Sequence, residues 1–212
     1  MITLKLYDEY KIERTEIDGK RHYLTPDGCF PSVTTVLGSK LDKSSLDAWR
    51  AKVGEEEANK ISTQAANRGT AIHDMAEKYI LGQDYRRGQM PVNLFTFAPI
   101  RDALDKHVTN VYGIEYPLWS KTLNTAGTTD LIADFDGVLS IVDFKTSKRL
   151  KEEKYIESYF LQATCYAAMA NERLNTDIKR IAIIIAVDHE EPQIFVKSTD
   201  DYFDKMRTIF TT

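Results

Sequence analysis

Polar and hydrophobic residues alternate along the first part of the chain, as they do in half-exposed β-strands. The alternation covers residues 4–7 and 11–17, stops at the turn dipeptide Asp18-Gly19, and resumes over residues 21–24. A two-residue turn of this kind between alternating segments predicts a β-hairpin over residues 11–24.

Helical spacing replaces this alternation after residue 30. Ser32 is a plausible N-cap for a short helix over residues 31–37. Farther on, hydrophobic residues recur at roughly helical spacing from Leu46 to Ile61. The pattern predicts helices over residues 43–67, 71–81 and 94–109, with a break at Arg68-Gly69-Thr70 and a polar loop over residues 83–92.

The second half of the chain reads mainly as strands. They are predicted over residues 112–119, 127–135, 138–145, 178–187 and 193–197, with a long helix over residues 152–174 and a last helix capped by residues 198–201. A helix between two strands usually joins strands that lie parallel in one mixed sheet. The order therefore predicts an α/β sandwich with a helical lobe in front, as a single domain over residues 1–212.

Composition places the chain among ordinary globular proteins. Its 212 residues are 42% hydrophobic and 28% charged, which is enough to bury a full core. The net charge of −4 argues against coating nucleic acid through one broad basic face, although a local basic groove is compatible with it. Cys29 and Cys165 lie far apart, which argues against a disulfide framework or a cysteine-bound metal. No apolar run predicts a membrane span or a signal peptide, so a cytoplasmic protein is expected.

The segment around Asp136-Gly137 carries the most informative chemistry. If that dipeptide forms a type I′ turn, Asp130 lies directly opposite Asp143. The side chains of an opposed pair share one face of the sheet, and Lys145, two residues beyond Asp143, shares it too. Phe144 then points to the opposite, buried face.

Two carboxylates that face each other across a sheet repel, so this pair requires a compensating positive charge. Mg²⁺ or Mn²⁺ would supply one, since both favour carboxylate oxygens. Lys145 would then orient or help to deprotonate a water molecule and neutralise charge on a phosphate. The alternative is a hairpin whose acids are solvated and whose lysine has no chemical role.

This arrangement resembles the PD-(D/E)xK nuclease superfamily, in which a glycine precedes the first acid and Asp-x-Lys follows on the next strand. The RecB-type branch adds a helical histidine upstream and a Gln-x-x-x-Tyr motif on the helix after the lysine strand. The chain carries all four elements in that order: His73, Gly127-x-x-Asp130, Asp143-x-Lys145 and Gln162-x-x-x-Tyr166.

The N-terminal part is similar to the mitochondrial genome maintenance exonuclease family and its phage relatives. The similar segments are residues 31–37, the helix with Trp49 and Gly54-Glu55-Glu56-Glu57-Ala58, and Arg68-Gly69-Thr70. Together with the core motifs, the resemblance covers roughly residues 30–170.

The resemblance implies a restriction-endonuclease-like mixed sheet flanked by helices. Residues 1–110 would form the N-terminal hairpin and a helical arch, and residues 111–212 the catalytic core. The implied cofactor is Mg²⁺, and Mn²⁺ is expected to substitute for it. The implied ligands are His73, Asp130, Asp143 and the Phe144 carbonyl, and the implied catalytic group adds Lys145, Gln162 and Tyr166.

Several residues keep two interpretations. Gln162 and Tyr166 share a helix face and would orient the substrate or the lysine, or would simply pack on the sheet. Glu77, one turn after His73, is either an auxiliary ligand or an exposed acid, and the distance of Glu115 from the metals is open. Hydroxyls, amides and cations suit phosphate oxygens, although helix capping explains the hydroxyls equally well. The candidate DNA contacts are Ser32, Thr34, Thr35, Arg68 and Lys148.

The function implied by the resemblance is a metal-dependent DNA exonuclease. It would act as a monomer on a single strand with a free end and leave 5′-phosphates, in a bacterial or phage-infected cell. A double-strand exonuclease or a structure-specific endonuclease is one alternative, and a non-catalytic DNA-binding module is another. The intact set of Asp130, Asp143 and Lys145 argues against the binding module.

Overall fold

The computed structural model describes residues 2–8, 10–42 and 44–211, without the side chain of Ser45. The strands are β1 (Thr3–Leu4), β2 (Glu13–Ile17), β3 (Lys20–Thr25), β4 (Gly28–Pro31), β5 (Val108–Ser120), β6 (Thr125–Phe135), β7 (Val138–Ser147), β8 (Arg180–Val187) and β9 (Gln193–Ser198). The α-helices are α1 (Val33–Lys40), α2 (Ser44–Val53), α3 (Glu55–Ile80), α4 (Pro91–His107), α5 (Glu157–Leu174) and α6 (Phe203–Thr211).

A six-stranded mixed sheet in the order β1-β5-β6-β7-β8-β9 forms the centre of the molecule. Strands β7 and β8 run parallel, as do β1 and β5, and the other neighbours are antiparallel. Helix α5 is the crossover between the parallel strands β7 and β8. The predicted α/β architecture with a mixed sheet is therefore confirmed.

Hydrophobic residues cover both faces of this sheet. Along β8, Ile181, Ile183 and Ile185 pack on one face with residues of α5 and α6, whereas Ala182 and Ile184 pack on the other with residues of α3 and α4. Successive side chains of a strand point to opposite faces, so a strand buried on both faces reads as a continuous hydrophobic run. The sheet is thus a layer between two groups of helices.

The N-terminal strands form a separate three-stranded sheet in the order β2-β3-β4. The predicted hairpin is confirmed, with Ile17 opposite Lys20 and positive φ angles of 51° and 70° at Asp18 and Gly19. This small sheet packs on the buried indole of Trp119, whose Nε1 donates to Asp27 at 2.8 Å. The hairpin is therefore fastened to the end of β5.

The predicted helix break at Arg68-Gly69-Thr70 is wrong, because α3 is one helix of 26 residues. Gly69 keeps a helical backbone and costs only about 1 kcal/mol relative to alanine, which the long helix tolerates. The chain breaks earlier, at Gly54, whose φ of +86° is hard for other residues. The predicted helix start at Lys43 lies outside the described residues. Among the described helices, none combines the length and apolarity needed to cross a bilayer.

Candidate metal centre and active site

The β6–β7 hairpin has the register that the sequence predicts. Asp136 and Gly137 form its turn with φ angles of 48° and 75°, and the strands pair from Phe135↔Val138 to Leu131↔Val142. The backbone pairing ends there, just before Asp130 and Asp143, and β7 goes on alone with β8. The two carboxylates therefore lie where the strands part.

At this point the side chain of Asp130, in place of the β6 backbone, accepts a hydrogen bond from β7. The Phe144 N–H donates to Asp130 Oδ2 at 2.7 Å. Asp130 and Asp143 are both buried, with 9% and 1% of their surface exposed. Buried carboxylates need partners, because desolvation of the charged form is costly.

His73 on α3 completes the cluster. Its Nδ1 lies 3.3 Å from an oxygen of Asp130 and 3.3 Å from an oxygen of Glu115, and its Nε2 lies 3.2 Å from the Phe144 carbonyl. The donor atoms of His73, Glu115 and Asp130 all lie within 4.8 Å of one another. Helix α3 and strands β5 and β6 thus bring their donor atoms together at one point.

Glu115 is the residue whose position the sequence left open. It lies opposite Asp130 in the β5–β6 register, between the pairs Ile114↔Leu131 and Tyr116↔Thr129. Its φ is +43°, a left-handed conformation that costs a non-glycine residue roughly 1–2 kcal/mol. The surrounding strands hold it there, and the only sequence signal was an acid on the strand before the hairpin.

The charges in the cluster are strongly coupled. Burial lowers the pKa of His73, but the Asp130 carboxylate and hydrogen bonds to Asp130 and Glu115 outweigh it and raise the pKa to about 11. Burial raises the pKa of Asp130, but attraction to His73 and Lys145 leaves it lowered. Burial raises the pKa of Asp143 to about 6, with Lys145 opposing and Asp130 reinforcing the shift.

Lys145 faces the same cluster. Its ammonium forms an ion pair with Asp143 and lies 5.3 Å from the ring centroid of Tyr159. Burial lowers its pKa, but the carboxylates of Asp143 and Asp130 more than offset this and leave it raised. Lys145 is therefore a fixed cation beside the carboxylates.

The donor set fits a divalent cation. Asp143 Oδ2 is buried and pairs with the Lys145 ammonium, and no other described residue donates a hydrogen bond to it. Carboxylate oxygens with one imidazole suit Mg²⁺ or Mn²⁺, and an ion would displace the proton of His73. His73, Glu115 and Asp130 are the grouped donors, whereas Asp143 and the Phe144 carbonyl remain predicted ligands.

The glycine of the motif has a steric role. A Cβ at Gly127 would lie 2.7 Å from the Tyr166 hydroxyl, so only glycine lets the ring approach β6. Tyr166 is buried, and desolvation together with the Asp130 carboxylate raises its pKa well above the usual value. It is thus a neutral hydroxyl beside the site. Gln162 is half-buried, and its catalytic role stays a prediction.

The predicted DNA contacts fall into two groups. Ser32 is the N-cap of α1, accepting from the Thr35 N–H at 3.0 Å and contacting the hydroxyls of Thr34 and Thr35. Arg68 forms a two-bond ion pair with Asp188, and Lys148 is exposed. The structure thus gives Ser32 a capping role, and phosphate contacts by these residues stay predictions.

Two grooves lie near the cluster. The hairpin groove, of about 850 Å³, lies between the β2–β3 hairpin and β5 and is lined by residues 10–14, 24–25, 77, 114–117 and 128. The arch groove, of about 790 Å³, lies between α3, the start of α4 and the end of β7, and is lined by residues 61, 64–65, 67–68, 90, 92–93, 146–149 and 151. The hairpin groove reaches the cluster through Glu115, and the arch groove begins at Thr146, the residue after Lys145.

The chain is similar in sequence to known nucleases. The model of the PD-(D/E)XK nuclease superfamily matches residues 95–212. Mitochondrial genome maintenance exonuclease 1 of Homo sapiens is 26% identical over 76% of this chain and 49% of its own length. The Xenopus tropicalis protein of that name is 22% identical over 77% of this chain and 50% of its own length. The chain spans about half the length of the curated relatives it matches.

A solved structure from Eubacterium rectale, an exonuclease candidate by name, also resembles the fold. It covers 68% of this chain and 64% of its own, with a TM-score of 0.46 and 13% identity.

Proposed function

Because this chain belongs to the PD-(D/E)XK nuclease superfamily, we propose that it is a metal-dependent DNA exonuclease acting on a single strand with a free end. The observation that carries the proposal is the cluster of His73, Asp130 and Glu115, with Asp143 and Lys145 beside it. The exonuclease names of the relatives support the choice of reaction.

The protein's part in the reaction follows from the placement of the charges. Bound Mg²⁺ or Mn²⁺ supplies a Lewis acid that polarises a phosphodiester and lowers the pKa of a water molecule. His73, Asp130, Glu115 and Asp143 would hold that ion, with the Phe144 carbonyl on the His73 side. The substrate phosphate would lie on the exposed side of this cluster.

Lys145 would stabilise the negative charge that develops on the phosphate and position the attacking water. A preorganised cation in a water-poor site acts strongly, because nothing has to reorient during the reaction. Gln162 and Tyr166, which share one face of α5, would orient the substrate strand or Lys145. As in the superfamily, the products would carry 5′-phosphates.

The deciding experiment uses three end-labelled DNAs in Mg²⁺: a linear single strand, the same strand circularised, and a blunt duplex. We expect degradation of the linear strand, and a loss of at least about 100-fold in rate for Lys145→Ala. Lys154→Ala removes an exposed lysine outside the site and should leave the rate unchanged.

Other outcomes point to other functions. Cutting of the circle would mean an endonuclease, and preference for the blunt duplex would mean a double-strand exonuclease. No cutting in Mg²⁺ or Mn²⁺ would overturn the enzyme proposal in favour of a DNA-binding module.

A further inference from the structure

The two grooves lie on opposite sides of the candidate metal centre. Along α3, the arch groove ends at Arg68 and the hairpin groove begins at Glu77, with His73 between them. Arg68 and Glu77 are nine positions apart, which is about 14 Å along the helix at a rise of roughly 1.5 Å per residue. In the sheet, the arch groove reaches β7 and the hairpin groove reaches β5, the two neighbours of the strand that carries Asp130. A DNA strand that passes over Asp130 would thus have one groove on each side.

The grooves differ in charge. Among its described lining residues, the arch groove has cations and no acid: Arg68, Lys148, Arg149 and Lys151. In the hairpin groove, Glu13 and Glu77 balance Lys11 and Arg14, and its third acid, Glu115, belongs to the candidate metal centre. A chain with a net charge of −4 therefore concentrates positive charge on one side of its candidate site.

Arg68 is paired with Asp188, but the other three cations of the arch groove are available to a ligand. Lys148, Arg149 and Lys151 form no ion pair within 4.0 Å with any described acid. Gln193 fixes the loop they belong to, since its side chain accepts from the Lys151 N–H at 2.7 Å and donates to the Lys151 carbonyl at 3.0 Å. The three cations thus lie on a loop next to the end of β7 whose backbone is anchored by hydrogen bonds.

The arch groove also has an uncovered apolar side. Met90 and Val92 line it with 62% and 55% of their surface exposed, and Phe95, one turn farther along α4, is 80% exposed. Residues three apart share a helix face, so Phe95 extends the surface of Val92. Unpaired bases stack on exposed aromatic rings such as that of Phe95, whereas a duplex keeps its bases inside.

On the basis of the proposed nuclease function, we propose that the arch groove grips the undigested part of an unpaired DNA strand, and that the hairpin groove receives the released end. Cations attract the phosphates of the retained strand, while the hairpin groove, whose own charges balance, offers the product no such attraction. After each cut the product leaves and the remaining strand stays bound. The enzyme would then make successive cuts in one encounter.

The binding test uses Lys145→Ala protein, so that the probe is not cut, and an end-labelled oligothymidine followed by fluorescence anisotropy. Replacing Lys148, Arg149 and Lys151 by alanine should weaken binding at least about tenfold and reduce the slope of log K against log salt by about 2. The matched control replaces three exposed lysines outside both grooves, Lys20, Lys106 and Lys179, and should bind like the parent.

Two further variants test the apolar surface beside the arch groove and the role of the hairpin groove. Phe95→Ser should weaken binding of the unpaired strand about tenfold and leave duplex binding unchanged. In protein that keeps Lys145, the arch-groove variant should remove fewer nucleotides per encounter in the presence of a competitor trap, whereas Lys11→Ala with Arg14→Ala should not.

Binding of the arch-groove variant equal to that of the matched control would overturn the groove assignment. A larger loss from the hairpin-groove variant would overturn it too, by reversing the two sides. Wild-type protein that cuts the linear strand while the variants bind normally would refute only the groove proposal. Failure of the wild type to cut any DNA refutes the proposed function.

Discussion

His73 contacts three oxygen atoms, and these contacts connect most residues of the candidate site. Its ring contacts the Asp130 and Glu115 carboxylates through Nδ1 and the Phe144 carbonyl through Nε2. Without a metal, the two carboxylates favour a protonated imidazole, whose pKa is raised to about 11 although burial alone would lower it. A cation would take over the charge that the proton now supplies.

Glu115 is the residue whose role is easiest to isolate. Glu115→Gln keeps the size of the side chain and removes its charge, so affinity for Mn²⁺ should fall by at least about tenfold. Isothermal titration calorimetry measures it directly. Glu13→Gln is the matched control, because Glu13 lines the same groove without contacting His73 in the described structure. Equal Mn²⁺ affinities for the two variants would remove Glu115 from the ligand set.

At the scale of elements, helix α3 decides where the histidine lies. It runs unbroken from Glu55 to Ile80, buries Ile72, Met75 and Ala76 on α4 and the sheet, and presents His73 to the strand ends. Gly54, not Gly69, provides the break in this region, because its positive φ favours glycine. One long helix therefore links the arch groove to the hairpin groove.

The continuity of α3 gives an opposed pair of substitutions. Gly69→Ala should raise the free energy of unfolding by about 0.5–1 kcal/mol, because alanine favours the helix and its Cβ has no atom within 4 Å. Gly54→Ala should lower it by about 1 kcal/mol, because the backbone there is left-handed. Urea denaturation followed by circular dichroism measures both. A destabilising Gly69→Ala would mean that the helix is broken there in solution.

At the scale of the whole molecule, long-range polar contacts add to the hydrophobic packing that joins the N-terminal half to the sheet. Arg68 on α3 pairs with Asp188 just after β8, 120 positions away in the chain. Asp27 accepts from both Trp119 and Arg173, which ties the small sheet to β5 and α5. The first of these contacts also positions Arg68 in the lining of the arch groove.

The Arg68–Asp188 pair has a pH signature. The hydrogen bonds from Arg68 hold the pKa of Asp188 below its ordinary value, so the stabilisation is full above about pH 4 and is lost as the pH falls through the folded-state pKa. Because both side chains are partly exposed, Asp188→Asn should cost about 1 kcal/mol or less at pH 6. Urea denaturation at pH 6 and pH 3 measures the difference from wild type. A cost that stays constant down to pH 3 would contradict this assignment.

The sequence by itself determined the elements whose signal is local. Alternation and an Asp-Gly dipeptide were enough for the β6–β7 hairpin and its register, because a two-residue turn fixes which residues oppose each other. The same logic held for the hairpin of Ile17 and Lys20. The mixed sheet followed from a helix between two strands, since the handedness and length of such crossovers leave few alternatives.

The tertiary structure decided what depends on residues far apart in the chain. Glu115 joins His73 and Asp130 only because β5 pairs with β6 and α3 packs above them. The asymmetry of the two grooves arises from segments as distant as residues 10–14 and 146–151, which no local pattern relates. Even Arg68-Gly69-Thr70 stays helical because a long helix, packed through its neighbours, outweighs the small preference of one glycine.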